Sequence, residues 1–75
     1  MKFEKMELFR ELEELFLLEE IKGEEVFREY ISDYDSLKGF TILSVIEAKF
    51  NVEIEIEKFL LMRTFNDVAD YIERA

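Results

Sequence analysis

The sequence contains no cysteine, histidine, tryptophan or proline, and it has only two glycines. The absence of cysteine and histidine excludes thiol nucleophiles, imidazole general bases, disulfides and the usual zinc ligand sets. The chain therefore lacks the side chains on which most small catalytic and metal sites depend. Any reactive group beyond carboxylates, amines and hydroxyls must be supplied from outside the polypeptide.

Long apolar segments are also missing. The longest apolar run is residues 15–18, far below membrane-spanning length, and the opening residues 1–5 are not followed by the apolar core of a signal peptide. We expect a soluble, cytoplasmic protein with no membrane insertion. A chain of 75 residues is enough for one domain, residues 1–75, and too short for two or for a deep enzyme pocket. We therefore expect a protein that is not an enzyme. We also expect it to be a monomer.

Acidic side chains outnumber basic ones by 19 to 10, which gives a net charge of −9 at pH 7. This charge repels phosphate backbones, so we expect no nucleic acid partner, and basic protein surfaces are its natural complement. Disordered chains can carry a similar charge. Here, however, 49% of the residues are hydrophobic and eight are phenylalanine, which is enough material for a core. We expect the chain to fold.

Apolar residues near the start of the chain recur three and four positions apart, as on one face of a helix. They predict a first helix over residues 3–18. Its apolar side chains are Met6, Phe9, Leu12, Leu15 and Phe16. Gly23 and the charges around it indicate a turn over residues 19–25. Residues 26–34 have mixed apolar spacing, and two interpretations stay open: a long ordered loop or one short helical turn.

The helical period returns after Asp35 and predicts a second helix over residues 36–50. Its apolar side chains are Leu37, Phe40, Leu43, Ile46 and Phe50. Asp35 is placed to accept the first free amides as the N-cap residue. Asn51 is suited to a left-handed stop at the other end.

Residues 52–57 alternate between apolar and acidic side chains, a period typical of a β-strand. A lone strand cannot satisfy its backbone, so we predict a loop that leads into a short helix over residues 57–61. Thr64 and Asp67 then indicate a capping box before a final helix. The apolar stripe of that helix is Phe65, Val68, Ala69 and Ile72. The predicted fold is all-α, a four-helix bundle with a long loop between helices 1 and 2 and a short third helix.

Ser36 stands at the first position of the predicted second helix, where its hydroxyl is exposed. A phosphate attached there would meet free backbone amides and the positive end of the helix dipole. Taken alone, an aspartate followed by a serine at a helix start is ordinary capping. The wider order of segments is more specific. It runs Asp35-Ser36-Leu37, the helix through Phe50, Asn51-Val52-Glu53-Ile54, Thr64-Phe65-Asn66-Asp67-Val68 and Tyr71-Ile72.

In this order and spacing, residues 27–73 resemble the acyl carrier protein family. The resemblance implies that Ser36 carries a covalent 4′-phosphopantetheine arm, with Asp35 as its motif neighbour. The thiol of that arm holds acyl groups as thioesters, which agrees with the absence of cysteine from the chain. No catalytic residue and no metal site are implied. The cargo stays open among a fatty acid, an amino acid and a polyketide unit.

The partners implied by the resemblance are a phosphopantetheinyl transferase and acyl-activating, acyltransferase or condensing enzymes. The residues of the second helix that we expect to contribute to docking are Leu37, Lys38, Thr41, Ser44 and Glu47. Carriers of fatty-acid synthesis usually place several acidic side chains on this helix, whereas here Glu47 is the main acid. The acidic residues are concentrated in residues 4–25 and 53–57 instead. We interpret the chain as a specialised carrier with dedicated enzymes.

Phe59 stands where the family often has a small residue beside the cavity that binds the acyl chain. Phe40 and Phe65 add further rings nearby. We interpret the three rings as filling for a small core, a common use of phenylalanine, and not as walls of a cargo site.

Two alternatives come from other functional classes. A calcium loop that begins at Asp33 fails, because Lys38 replaces the glycine at its sixth position and Ser44 replaces the glutamate at its twelfth. A non-catalytic acidic helical adaptor or inhibitor that binds a basic protein surface fits the same charge and helices. The adaptor hypothesis predicts no modification at Ser36.

Overall fold

The computed structural model describes residues 2–75, and this part of the chain contains helices and no strand. The five helices are α1 (Lys5–Phe16), α2 (Phe27–Tyr30), α3 (Ser36–Phe50), α4 (Ile56–Leu61) and α5 (Phe65–Arg74). The all-α prediction is confirmed. The open question for residues 26–34 is settled by α2, a single helical turn within the long connection from α1 to α3. Nowhere in residues 2–75 is a helix long and apolar enough to cross a membrane.

Helix α1 is shorter than predicted, and its buried face agrees only in part with the predicted one. It ends at Phe16 because Leu17 adopts a left-handed conformation with φ of 57°, so residues 17 and 18 lie outside the helix. Leu8, Phe9 and Leu12 are the buried residues, whereas Met6 and Leu15, both expected on the apolar face, are exposed. The helical period accounts for this exposure. Leu8, Leu12 and Phe16 lie four residues apart on the side that faces the core, and Met6 and Leu15 lie at the two edges of that side.

Helix α3, the predicted second helix, begins and ends where predicted, but only part of its predicted apolar face is buried. Its buried residues are Gly39, Ile42 and Ile46. Ile46 belongs to the predicted apolar face, whereas Leu37 and Phe40 of the same face are 74% and 52% exposed. The exposure of Leu37 agrees with its prediction as a docking residue. The helix carries apolar residues on more than one side, so spacing alone did not determine which stripe would be buried.

The segment before α4 forms no strand within the described residues, as predicted, and α4 begins at Ile56, one residue earlier than expected. The predicted capping box of α5 is confirmed. The Asp67 amide donates to Thr64 Oγ1 at 3.1 Å, and the Thr64 amide donates to Asp67 Oδ2 at 3.1 Å. A further bond from the Arg63 amide to the same carboxylate, together with that of Thr64, lowers the pKa of Asp67.

All five helices contribute to one core, and Phe27 of α2 lies near its centre. The Phe27 ring is 5.4 Å from Phe59 of α4 and 6.0 Å from Phe65 of α5, measured between ring centroids. Backbone hydrogen bonds link the same two segments. The Phe27 amide donates to Arg63 O at 3.1 Å, and the Phe65 amide donates to Glu25 O at 3.2 Å. The connection after α1 is thereby fixed against the start of α5.

The connection from α1 to α2 is also attached to α1 itself. The carboxylate of Glu13 accepts the Ile21 amide at 2.7 Å, and Arg10 donates to the Ile21 carbonyl at 3.3 Å while pairing with Glu13 at 3.0 Å. Ile21 is buried in the core. The connection is therefore held in place by both the backbone and the buried side chain of Ile21.

We predict that Leu17→Gly stabilises the protein. A leucine in the left-handed region carries a steric cost that glycine avoids, and Leu17 is 91% exposed, so its side chain contributes little packing. The free energy of unfolding should rise by about 1 kcal/mol in urea denaturation.

Asn51→Gly is the matched control, because Asn51 also ends a helix in the left-handed region, with φ of 59°. Asparagine tolerates that conformation, so this change should alter stability by less than about 0.5 kcal/mol. Equal effects of the two substitutions would contradict the strain assigned to Leu17.

Candidate functional site

Ser36 is the first residue of α3, and it is exposed. Asp35 precedes it in an extended conformation and caps the helix: its carboxylate accepts the Lys38 amide at 3.0 Å, and its carbonyl accepts the Gly39 amide at 3.1 Å. The predicted N-cap role of Asp35 is confirmed. The cap fixes the backbone at the helix start and leaves the Ser36 hydroxyl facing solvent.

The first turn of α3 can receive an anion. Helix geometry gives the amides of Ser36 and Leu37 no acceptor within the helix, and the 15-residue helix directs the positive end of its dipole to this turn. A phosphate bound to the Ser36 oxygen would stand beside both features.

Lys38 holds the loop that leads into the helix. Its ammonium donates to the Ser32 carbonyl at 2.7 Å and to the Asp33 carbonyl at 2.9 Å. Asp33 has φ of 54°, so the loop passes through a left-handed residue just before the cap. Lys38 was predicted as a docking residue, and the structure places its charge on the loop backbone.

A groove with a volume of about 310 Å³ runs between α3 and α4 beside Ser36. Most of its lining is apolar. The lining residues are Arg28, Tyr34, Asp35, Ser36, Gly39, Phe40, Leu43, Ile56, Phe59 and Leu60. A serine and an apolar groove therefore share one face of the protein.

Tyr34 and Gly39 fit together at the wall of this groove. A Cβ atom added at Gly39 would lie 2.6 Å from the Tyr34 hydroxyl oxygen, so only glycine leaves room for the tyrosine in this position. Burial raises the pKa of Tyr34, which keeps the hydroxyl protonated at neutral pH. The close approach explains why a helix-weakening glycine occurs inside α3.

Arg28, which lines the groove, also contacts α4. Its guanidinium lies 4.6 Å from the Phe27 ring centroid and 5.5 Å from that of Phe59. It donates to the carbonyl of Phe59, in the last turn of α4, and to that of Met62, the C-cap residue. The positive charge of Arg28 is therefore stabilised by aromatic rings and carbonyl groups of the protein.

The three phenylalanines expected in the core differ in how far they are buried. Phe59 and Phe65 are buried, which confirms that expectation for two of them. Phe40 is half exposed and lines the groove, so for Phe40 the expectation was wrong. It lies on the opposite side of α3 from Lys38, toward α4.

The other predicted docking residues follow the turns of α3. Leu37, Ser44 and Glu47 are exposed, whereas Thr41 is half-buried and donates its hydroxyl to the Leu37 carbonyl at 2.9 Å. Leu37, Thr41 and Ser44 lie three and four residues apart and so share one side of the helix. Glu47 comes seven residues after Phe40, which places it on the side that faces the groove.

Sequence reasoning missed the groove residues Tyr34, Gly39, Ile56 and Leu60. An isolated glycine in a helical pattern often has a packing reason, so Gly39 was the available signal. Nothing in the sequence identified Tyr34 as its partner. Within residues 2–75 no group of three or more acidic side chains is arranged to hold a metal ion.

The family model described as "phosphopantetheine attachment site" matches residues 6–72, from the first turn of α1 to near the end of α5. No curated protein and no solved structure matches the chain. Members of the matching family carry 4′-phosphopantetheine covalently on a serine.

The residues at the start of α3 fit such a group. Ser36 offers an exposed hydroxyl, the first turn of the helix offers amides to a phosphate, and the groove offers apolar surface beside them. Of these features, the exposed serine is the one that a covalent attachment requires.

We predict that Asp35→Ala lowers the free energy of unfolding by about 1 kcal/mol, because the Lys38 amide loses its acceptor. Asp35→Asn keeps a side-chain oxygen in the same place and should lose less than about half of that value. Both values come from urea denaturation. If asparagine and alanine were equally destabilising, the cap would not be the source of the effect.

We also predict that Gly39→Ala and Tyr34→Phe are coupled. Alanine in place of glycine inside a helix ordinarily adds about 1 kcal/mol of stability, but here the new methyl group would meet the Tyr34 hydroxyl. Gly39→Ala alone should therefore bring no gain, whereas in the Tyr34→Phe background it should stabilise by about 1 kcal/mol. A double-mutant cycle measures the coupling, and strict additivity would contradict the contact.

Proposed function

The chain belongs to the phosphopantetheine attachment site family, and on that premise we propose that it is an acyl carrier whose 4′-phosphopantetheine is attached to Ser36. The family match confirms the resemblance to carrier proteins and the cofactor that the resemblance implied. The assignment of Ser36 rests on one observation. It is the exposed serine at the capped start of the 15-residue helix α3.

The other hydroxyls of this region have different surroundings. Ser32 lies in the loop, where Lys38 binds its carbonyl. The hydroxyl of Thr41 donates within α3, and that of Thr64 accepts the Asp67 amide in the capping box. Ser36 alone among these four combines exposure with the first turn of a long helix. This combination supports Ser36 as the attachment point.

The chemistry of attachment places modest demands on the chain. The Ser36 oxygen would form a bond to phosphorus in coenzyme A and displace adenosine 3′,5′-bisphosphate, while the hydroxyl proton passes to a base of the transferring enzyme. The free amides of the first turn would then face the resulting anion. When bound, the arm supplies a terminal thiol that holds acyl groups as thioesters, a reactivity that the cysteine-free chain does not have itself.

In this function the partners perform the catalysis. They are a phosphopantetheinyl transferase and the acyl-activating, acyltransferase or condensing enzymes that load and use the thioester. The protein contributes an attachment point and a surface on which the partners dock. Leu37, Ser44 and Glu47 are exposed on α3 and are available for such contacts. The scarcity of acidic groups on this helix supports a specialised carrier served by its own enzymes.

We predict that Ser36→Ala abolishes modification. The wild type, incubated with coenzyme A and a broad-specificity phosphopantetheinyl transferase, should gain the mass of one phosphopantetheinyl group, and Ser36→Ala should gain none. Ser32→Ala is the matched control, because it removes an exposed serine hydroxyl four residues away. It should be modified like the wild type, as measured by intact-mass spectrometry.

Two results would contradict the proposal. Modification of Ser36→Ala would place the attachment elsewhere. An unmodified wild type, under conditions in which a control carrier is modified, would favour the acidic adaptor that binds a basic protein surface.

A further inference from the structure

Arg28 is a charged residue in a groove whose other walls are mostly apolar. It lines this groove together with Ser36, Tyr34 and Phe59. Its guanidinium lies 4.6 Å from the Phe27 ring centroid, 5.5 Å from that of Phe59 and 5.9 Å from that of Tyr34. The three rings take the place of part of the water around the cation, and in such surroundings an ion pair is stronger than at the open surface.

No carboxylate of the chain neutralises this half-buried arginine. The side-chain ion pairs in residues 2–75 belong to Arg10 and Lys49, and neither includes Arg28. Arg28 donates instead to two backbone carbonyls at the end of α4, which accept hydrogen bonds but carry no net charge. A guanidinium has five N–H donors, so N–H groups are left for a further acceptor. The positive charge is therefore available to an anion from outside the chain.

Tyr34 supplies a second donor in the same groove. Its hydroxyl lies over Gly39 in the groove wall, and burial raises its pKa, so it stays protonated at neutral pH. A guanidinium and a hydroxyl can both donate to one carboxylate, and hydrogen bonds to a charged acceptor are about twice as strong as those between neutral groups. The pair formed by Arg28 and Tyr34 thus suits a carboxylate.

Acidic residues around the groove oppose any anion that is not in direct contact with Arg28. Asp35 lines the groove as the N-cap residue of α3, and Glu47 and Glu57 are exposed on the two helices that flank it. Glu53 and Glu55 are exposed just before α4. Together with the net charge of −9, these residues repel free anions. An anion would therefore reach Arg28 most readily on a covalent arm.

We propose that Arg28 is a specificity-determining residue, and that this carrier takes an acyl group ending in a carboxylate, which Arg28 and Tyr34 bind in the groove. The inference rests on the proposed function, because the arm on Ser36 brings the cargo to this groove. The methylene chain of the cargo would contact the apolar walls at Phe40 and Leu60. A neutral alkyl end in the same place would separate the guanidinium from water and offer it no acceptor.

The test loads the wild type with matched pairs of acyl groups. A broad-specificity phosphopantetheinyl transferase transfers the acylated arm directly from acyl-coenzyme A, and intact-mass spectrometry confirms one load per chain. The dicarboxylic loads are succinyl, glutaryl and adipoyl, and butyryl, pentanoyl and hexanoyl match them in carbon number. At least one dicarboxylic load should raise the midpoint of thermal unfolding by about 5 °C over its matched monocarboxylic load.

Three variants assign the effect to its residues. Arg28→Gln should remove the difference between matched loads. It should also lower every midpoint, because the Phe59 and Met62 carbonyls lose their donor, so the readout is the difference within each variant. Tyr34→Phe should reduce the difference. Arg63→Gln, the matched control at an exposed arginine outside the groove, should preserve it.

Nuclear magnetic resonance gives a second readout, which needs no variant and so does not depend on how Arg28→Gln folds. The Nε–H resonance of Arg28 in the loaded wild type should shift when a monocarboxylic cargo is replaced by its dicarboxylic counterpart. The same resonance should stay in place when the cargo-free arm is compared with the monocarboxylic load.

Three outcomes would overturn the inference. The first is equal midpoints for all matched loads with an unmoved Arg28 resonance. The second is a shift of that resonance by the cargo-free arm, which would make the phosphate of the arm the anion. The third is greater stabilisation by β-alanyl, which would assign the selection to the acidic residues. If no acyl-coenzyme A loads the wild type while a control carrier is loaded, the proposed function itself fails, whereas loading without a difference contradicts only the role of Arg28.

Discussion

The Phe27 ring is in contact range of an aromatic ring from each of three other segments. Its centroid lies 5.9 Å from Tyr34 in the loop before α3, 5.4 Å from Phe59 in α4 and 6.0 Å from Phe65 in α5. Arg28 covers the same ring and donates to the end of α4. In a chain this small, one residue that joins so many elements determines their mutual positions. The groove and the start of α3 take their shape from this cluster.

Three sets of contacts fix the backbone and the side chains around Ser36. Asp35 caps the helix, Lys38 binds the loop carbonyls, and the Tyr34 ring lies against Gly39. An attachment point needs a fixed backbone and an accessible hydroxyl, and it needs no catalytic group of its own. A protein without cysteine or histidine can provide both, provided that the thiol arrives on a bound arm.

Local rules made the ends of α3 and the start of α5 predictable from the sequence. Asp35 accepts an amide three residues ahead, Asn51 tolerates a left-handed backbone, and Thr64 with Asp67 closes a capping box. Each of these contacts joins residues no more than four positions apart, so each can be predicted from the sequence. The same locality made Ser36 recognisable as the first residue of a helix, and the order of segments around it indicated a carrier.

The choice of buried faces and the composition of the groove depended on the tertiary structure. Helix α3 has apolar side chains on several sides, and packing against the rest of the core buried Ile42 and Ile46 and left Leu37 and Phe40 at the surface. The sequence by itself determined where α3 and α5 start, how they are capped and which serine stands at the start of α3, because these follow from neighbours along the chain. Only the fold decided which apolar residues meet solvent beside that serine, because burial depends on residues that are distant in sequence and become neighbours when the helices pack.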